Sequence, residues 1–123
     1  MKLVDLHPTI QMALALHEAL RRLGIHADDI YLIVSPVQGC LVQARQGSDV
    51  CNFAVGEVPP DFTPAAWAAS VRVWNSGSTP EEKAEMWEEC RTCFNATLLI
   101  KCLHDTGFLL KSDTAMFENA AQA

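Results

Sequence analysis

The stretch from Cys40 to Val55 leaves the chain little conformational freedom, because a two-residue turn at Gly47-Ser48 decides which residues face one another. With Gln46 opposite Asp49, Ala44 faces Cys51, Val42 faces Phe53 and Cys40 faces Val55 on one side of a hairpin. The other side receives Arg45 with Val50, Gln43 with Asn52 and Leu41 with Ala54. A slip of one residue would mix the two sets, so hydrophobic pattern and turn chemistry agree on one register.

A third strand, Ile30 to Ser35, precedes the hairpin and is apolar on both sides. Reading Pro36–Gly39 as the connecting turn sets Ser35 opposite Cys40 and sends Tyr31 and Ile33 to the core side. Ile30, Leu32 and Val34 then lie on the opposite side, beside Leu41 and Ala54. Continuous apolar runs mark strands buried on both faces. These five residues are therefore the expected interface, covered by the C-terminal segment or by a second copy of the chain.

Helices flank the meander. Residues 8 to 23 read as the first, with Pro8 at the first helical position and Gly24 as the left-handed stop. Met12, Ala13, Leu16, Leu20 and Leu23 form its apolar stripe, and His17, Glu18, Arg21 and Arg22 fall mostly outside it. A second helix is expected from Pro64 to about Asn75, capped by Thr63, with Trp67, Val71 and Trp74 on one face. A third begins at Thr79-Pro80-Glu81-Glu82, where Thr79 and Glu82 make a capping box, and runs to about Asp105 before Gly107. Trp87, Cys90, Phe94 and Leu98 mark its core line. The order predicts an α+β fold: an N-terminal helix, a three-stranded antiparallel meander, then two helices packed on one face of the sheet. Residues 1–110 read as a single domain, and 111–123 as a polar tail expected to fray.

The small size, the acidity and this helix-then-meander order resemble the type III secretion chaperones, a dimeric family. No motif carries the similarity, and the later pair of strands in that family is not found in this pattern.

Charge narrows the partners. The 123 residues carry a formal net charge of −6, and of the nine basic residues only Arg21 and Arg22 are adjacent. Nucleic-acid binding needs a basic stripe, and anionic membranes repel an acidic protein, so neither is expected as a partner. Asp5, His7 and Pro8 interrupt any signal-peptide core, and the longest apolar runs are about five residues. A soluble, cytoplasmic setting is expected, in which the five cysteines stay reduced.

Candidate chemistry centres on Cys90 and Cys93, at the spacing of a redox pair. Reactive pairs sit at helix N-termini, whereas these lie deep in a helix after five acids between Glu81 and Glu89, which raise thiol pKa values. A metal could draw on Cys90, Cys93, Cys102 and His104. On a continuous helix, however, Cys90 and Cys102 stand about 18 Å apart, too far to share an ion. A Cys40–Cys51 disulfide fails because the derived register separates them by about 13 Å along the strands. His7, His17 and His26 read as surface or helix-end residues. His104, beside Asp105, is the histidine best placed to be oriented by a carboxylate. The tryptophans read as core, and the acidic face Glu81, Glu85, Glu88 and Glu89 as solvated. No nucleotide fingerprint or nucleophile elbow is present.

With no catalytic set and no cofactor implied, the sequence points to a small non-catalytic interaction or regulatory domain acting as a homodimer, with room for a protein partner. Two competing readings are a thiol- or metal-dependent activity at Cys90 and Cys93, and small-ligand binding between the sheet and the Trp67/Trp74 helix.

Overall fold

The computed structural model describes residues 7–60, 62–93 and 96–111. Helix α1 (Pro8–Arg22) leads through a short 3-10 turn (Ala27–Asp29) into strands β1 (Ile30–Ser35), β2 (Gly39–Gln46) and β3 (Asp49–Gly56). Helices α2 (Pro64–Gly77), α3 (Pro80–Cys93) and α4 (Ala96–Asp105) follow. The sheet is an antiparallel meander in the order β1-β2-β3, which confirms the expected α+β class. The single helix expected over Pro80–Asp105 is recorded as α3 and α4; Phe94 and Asn95, between them, lie outside the described residues. So do residues 112–123, on which the expected tail falls.

The end signals act as their chemistry dictates. Gly24 and Gly107 turn left-handed after α1 and α4, with φ of 106° and 97°. The Thr63 hydroxyl accepts from the Ala66 amide at 3.1 Å and caps α2. At α3 the capping box closes in both directions. Glu82 N–H donates to the Thr79 hydroxyl at 3.1 Å, and Thr79 N–H donates to the Glu82 carboxylate at 3.0 Å.

The β2–β3 register follows the sequence from Gln46↔Asp49 through Ala44↔Cys51 and Val42↔Phe53 to Leu41↔Ala54. Beyond Leu41 a bulge intervenes, and Cys40 faces Gly56 rather than Val55. Gly56 has φ of 138°, and a Cβ there would stand 2.6 Å from the Thr9 hydroxyl of α1. A glycine is thus needed where the bulged strand meets the start of the helix.

The first hairpin corrects the sequence reading. Ser35 pairs with Gly39, not Cys40, leaving a three-residue loop of Pro36, Val37 and Gln38. The Ser35 hydroxyl accepts from the amides of Val37 and Gln38, and Gly39 takes φ of 80°, the left-handed position that closes a three-residue hairpin loop. That one-residue change flips β1. Leu32 now faces Val42 and Ile30 faces Ala44, so Ile30, Leu32 and Val34 point to the helix side, while Tyr31 and Ile33 point away. Ile30 and Leu32 are buried in the core, and Val34, nearer the loop, is exposed. The five residues expected to share an interface are therefore divided: Ile30, Leu32 and Val34 are on the helix side of the sheet, and Leu41 and Ala54 lie on the opposite face.

The core forms between that inner face and the helices. Val42, Ala44, Cys40, Leu32 and Ile30 from the sheet meet Ala13, Leu16, Leu20 and Leu23 of α1 and its end. Helix α1 contacts all three strands and also α3, α2 lies against β1, and Leu99, Ile100 and Leu103 of α4 join the same cluster. Burial consequently extends around most of α1, taking in Leu14, Ala15, His17 and Ala19 as well as the expected stripe.

The corrected register makes opposite forecasts for neighbouring residues. Leu32→Lys, which buries an unpaired charge, is expected to cost at least about 3 kcal/mol and to leave little folded protein. Ile33→Lys is expected to change monomer stability by no more than about 1 kcal/mol. Urea unfolding followed by circular dichroism distinguishes them, and the reverse order would restore the original register.

Candidate interaction surface

The outer face of the sheet carries Tyr31 and Ile33 from β1, Leu41, Gln43 and Arg45 from β2, and Val50, Asn52 and Ala54 from β3. Its two ends differ. Near the Gly47-Ser48 turn, the Arg45 guanidinium stacks over the Tyr31 ring at 4.0 Å and donates to the Gln43 carbonyl oxygen at 2.6 Å. The Gln43 amide in turn donates to Asn52 at 3.0 Å. Toward the other end lie Ile33, Leu41 and Ala54, a small apolar patch with Ile33 and Leu41 half-buried. Among these residues Arg45 is the one charge, and its cation is held against an aromatic ring.

A groove of about 300 Å³ runs along the β3 edge, between that strand and α4. Leu16, Phe53, Leu98 and Leu99 line it, with Asn52, Ala54 and Cys102. Leu98 is exposed and Phe53 is half-buried. The segment that follows α4 is tied to the end of β2, where the Gln46 side chain donates to the Leu109 carbonyl at 3.0 Å and accepts from the Leu109 amide. Two chain-distant segments are thus clipped together by one amide side chain. A second hollow, of about 480 Å³, lies at the C-terminal end of α1 between Arg21, Arg22, His26 and Lys111. Arg22 there pairs with Glu18 at 3.2 Å, and basic groups offset the exposed carbonyls of the helix end.

The histidines divide by role. His7 and His26 are caps: their Nδ1 atoms accept from the amides of Thr9 and Asp28, at 3.1 and 3.2 Å. His104 is exposed in the last turn of α4. His17 departs from the expectation of a surface position. It is 6 % exposed and meets the edge of Trp67 at 6.3 Å between ring centroids. A stripe read from one helix says nothing of a second layer, and here α2 supplies it. Trp67 and Trp74 are both buried, as core aromatics.

Cys90 and Cys93 stand in the last turn of α3 (Pro80–Cys93), and their side chains lie outside the described residues. Cys40 and Cys51 are buried free thiols, and burial pushes both pKa values up. Among the described residues no group of three or more His, Cys, Asp or Glu side chains could hold a metal ion.

Burial drives the pKa of His17 down from 6.5 to about 4, helped by Arg21 one turn on and opposed by Glu18. Between those two values the unfolded chain binds a proton that the folded chain refuses, so stability rises with pH across the window and is lost as pH falls through it. The full effect is on the order of 3 kcal/mol. His17→Phe is expected to remove that part of the pH dependence. Urea unfolding of both proteins at a series of pH values from about 7 to about 4.5 measures it, and parallel curves would contradict a buried neutral imidazole.

No protein-family model, curated protein or solved structure matches this chain.

Proposed function

We propose that this chain is a non-catalytic interaction domain that works as a homodimer, joined through the outer face of its sheet. The observation that carries the reading is the charge distribution. The chain bears a net charge of −6, yet eight residues of the outer face include no carboxylate and one cation, already stacked on Tyr31. Two copies repel over most of their surfaces and meet without repulsion on this one. The apolar end, with Ile33, Leu41 and Ala54, supplies the buried centre of such a contact, and Gln43, Arg45 and Asn52 its polar rim.

Size sets a further condition. Three strands at their usual spacing present about 300 Å² on one face, whereas a stable contact removes about 800 Å² from each partner. The contact therefore continues past β3 onto the groove beside α4, where Leu98 and Phe53 add apolar surface. Both regions adjoin Asn52 and Ala54, so one partner can cover them together.

Solution mass by light scattering over a range of concentrations tests this reading. The wild type is expected to be a dimer, unaffected by a metal chelator, and Leu41→Lys a folded monomer with unchanged circular dichroism. A wild type that stays monomeric at every concentration would overturn the proposal. A dimer that Leu41→Lys leaves intact would overturn the assignment to this face. A mass that changes when metal is removed would instead direct attention to Cys90 and Cys93.

A further inference from the structure

The hollow at the end of α1 shares no residue with the outer face of the sheet or with the groove beside α4, so a partner seated on those surfaces leaves its lining untouched. Gly24 closes the helix with φ of 106°; its amide donates to the Arg21 carbonyl and the Ile25 amide to the Leu20 carbonyl, both at 3.0 Å. Far along the chain Lys111 returns to this turn, and its amide donates to the Leu23 carbonyl at 2.8 Å. Its side chain lies over Gly24, where a Cβ would stand 2.8 Å from the Lys111 Cγ. The glycine thus leaves room for the lysine stem beside the one adjacent pair of arginines in the sequence. Three of the nine basic residues gather around about 480 Å³ of space, with one of the fifteen acidic residues, Glu18. Glu18 is tied to Arg22 at 3.2 Å and its side chain is 14 % exposed. Arg21 and Lys111 are exposed, and neither has a carboxylate partner among the described residues. His26 completes the wall. Its Nδ1 accepts from the Asp28 amide at 3.2 Å, so the neutral ring carries its proton on Nε2 as a further donor. The Asp28 carboxylate, 3.5 Å from that Nδ1, stands outside the lining.

We propose that this hollow binds the phosphate monoester of a small polyol, a ligand of the sugar-phosphate class. Charge selects the phosphate. Against the three permanent cations stand the Glu18 carboxylate and the helix end, which carries about half a negative charge, leaving about one and a half positive charges. A phosphate monoester at neutral pH carries about −1.5 to −2, whereas a single carboxylate would leave the site under-neutralised. Arg21 and Lys111 hold the anion by charge-assisted hydrogen bonds, and Arg22 and the His26 Nε2–H donate from the flank. Shape and chemistry select the rest of the ligand. The volume is that of a small-molecule site and far more than a bare phosphate fills. No aromatic ring other than His26 lines it, and Ile25 and Ala27 are its apolar side chains, so nothing there covers a nucleobase or an alkyl tail. The Glu18 carboxylate keeps lone pairs beyond its bond to Arg22 and accepts from ligand hydroxyls. A ligand held between Arg21 and Lys111 also ties the segment after α4 to α1, so occupancy stabilises the closure made by the Lys111 amide.

Titration of the 15N-labelled full chain with ribose 5-phosphate at constant ionic strength, followed by amide chemical shifts, tests the assignment. Saturating shifts are expected at Gly24, Ile25, His26 and Lys111, with none on β2. Inorganic phosphate and succinate are expected to bind there more weakly by about tenfold or more, and ribose not at all. Arg21→Gln and Lys111→Gln, both at exposed positions, are each expected to weaken ribose 5-phosphate by about tenfold or more with unchanged circular dichroism. The wild-type titration needs no variant, so a substitution that impaired folding would not spoil the test. Absence of saturating shifts at the end of α1 would overturn the proposal, as would binding that both substitutions left intact. Inorganic phosphate binding as tightly as the ester would overturn the polyol assignment, and succinate doing so would overturn the phosphate.

Discussion

The packing of α1 against the inner face of the sheet is the contact on which the remainder of the structure depends. It is made close by small residues on both sides: Ala13 and Ala19 on the helix, Cys40 and Ala44 on β2, all fully buried. Leu16, Leu20 and Val42, also fully enclosed, fill the spaces between them. Interiors are packed densely enough that one methylene too many or too few is felt. A helix seated this deeply leaves only a narrow side to solvent, marked by the exposed Arg21. It is covered by the strands below and by α2 and α3 around it, and this surrounds His17 with protein and holds its imidazole neutral.

Placing every described helix on the side of α1 has a direct consequence for the rest of the surface. The sheet is left with one inner face and one outer face, the arrangement antiparallel sheets tolerate when the outer face is suitably polar. Here that face is polar at only one end, where Tyr31, Arg45, Gln43 and Asn52 satisfy one another. The other end is apolar and adjoins the groove by α4. The open face and the groove by α4 therefore both adjoin β3, at the edge of the sheet.

How much of this was legible from residues alone depends on whether local chemistry determined the geometry. The β2–β3 hairpin was readable because a two-residue turn admits one register and the side chains sorted cleanly about it. The capping box at Thr79 and Glu82 and the stops at Gly24 and Gly107 were readable for the same local reason. The first hairpin was misread because Gly39 was assigned to the turn alone, when its left-handed backbone also makes it the partner of Ser35. On an apolar run such as Ile30–Val34 either register buries hydrophobic residues, so the pattern offered no correction. The burial of His17, the bulge opposite Cys40 and the groove between β3 and α4 depend on segments far apart in sequence. No periodicity within one element carries such information.

The central claim is that α1 packs on the face of the sheet bearing Leu32 and Val42 and that the face bearing Ile33 and Leu41 is left open. Nuclear Overhauser contacts between assigned methyl groups measure this directly. Strong contacts from Leu16 and Leu20 to Leu32 and Val42, with none to Ile33 or Leu41, are the result predicted. Contacts from the α1 methyls to Ile33 would mean that β1 pairs one residue out of register, and the account of both faces would fall with it.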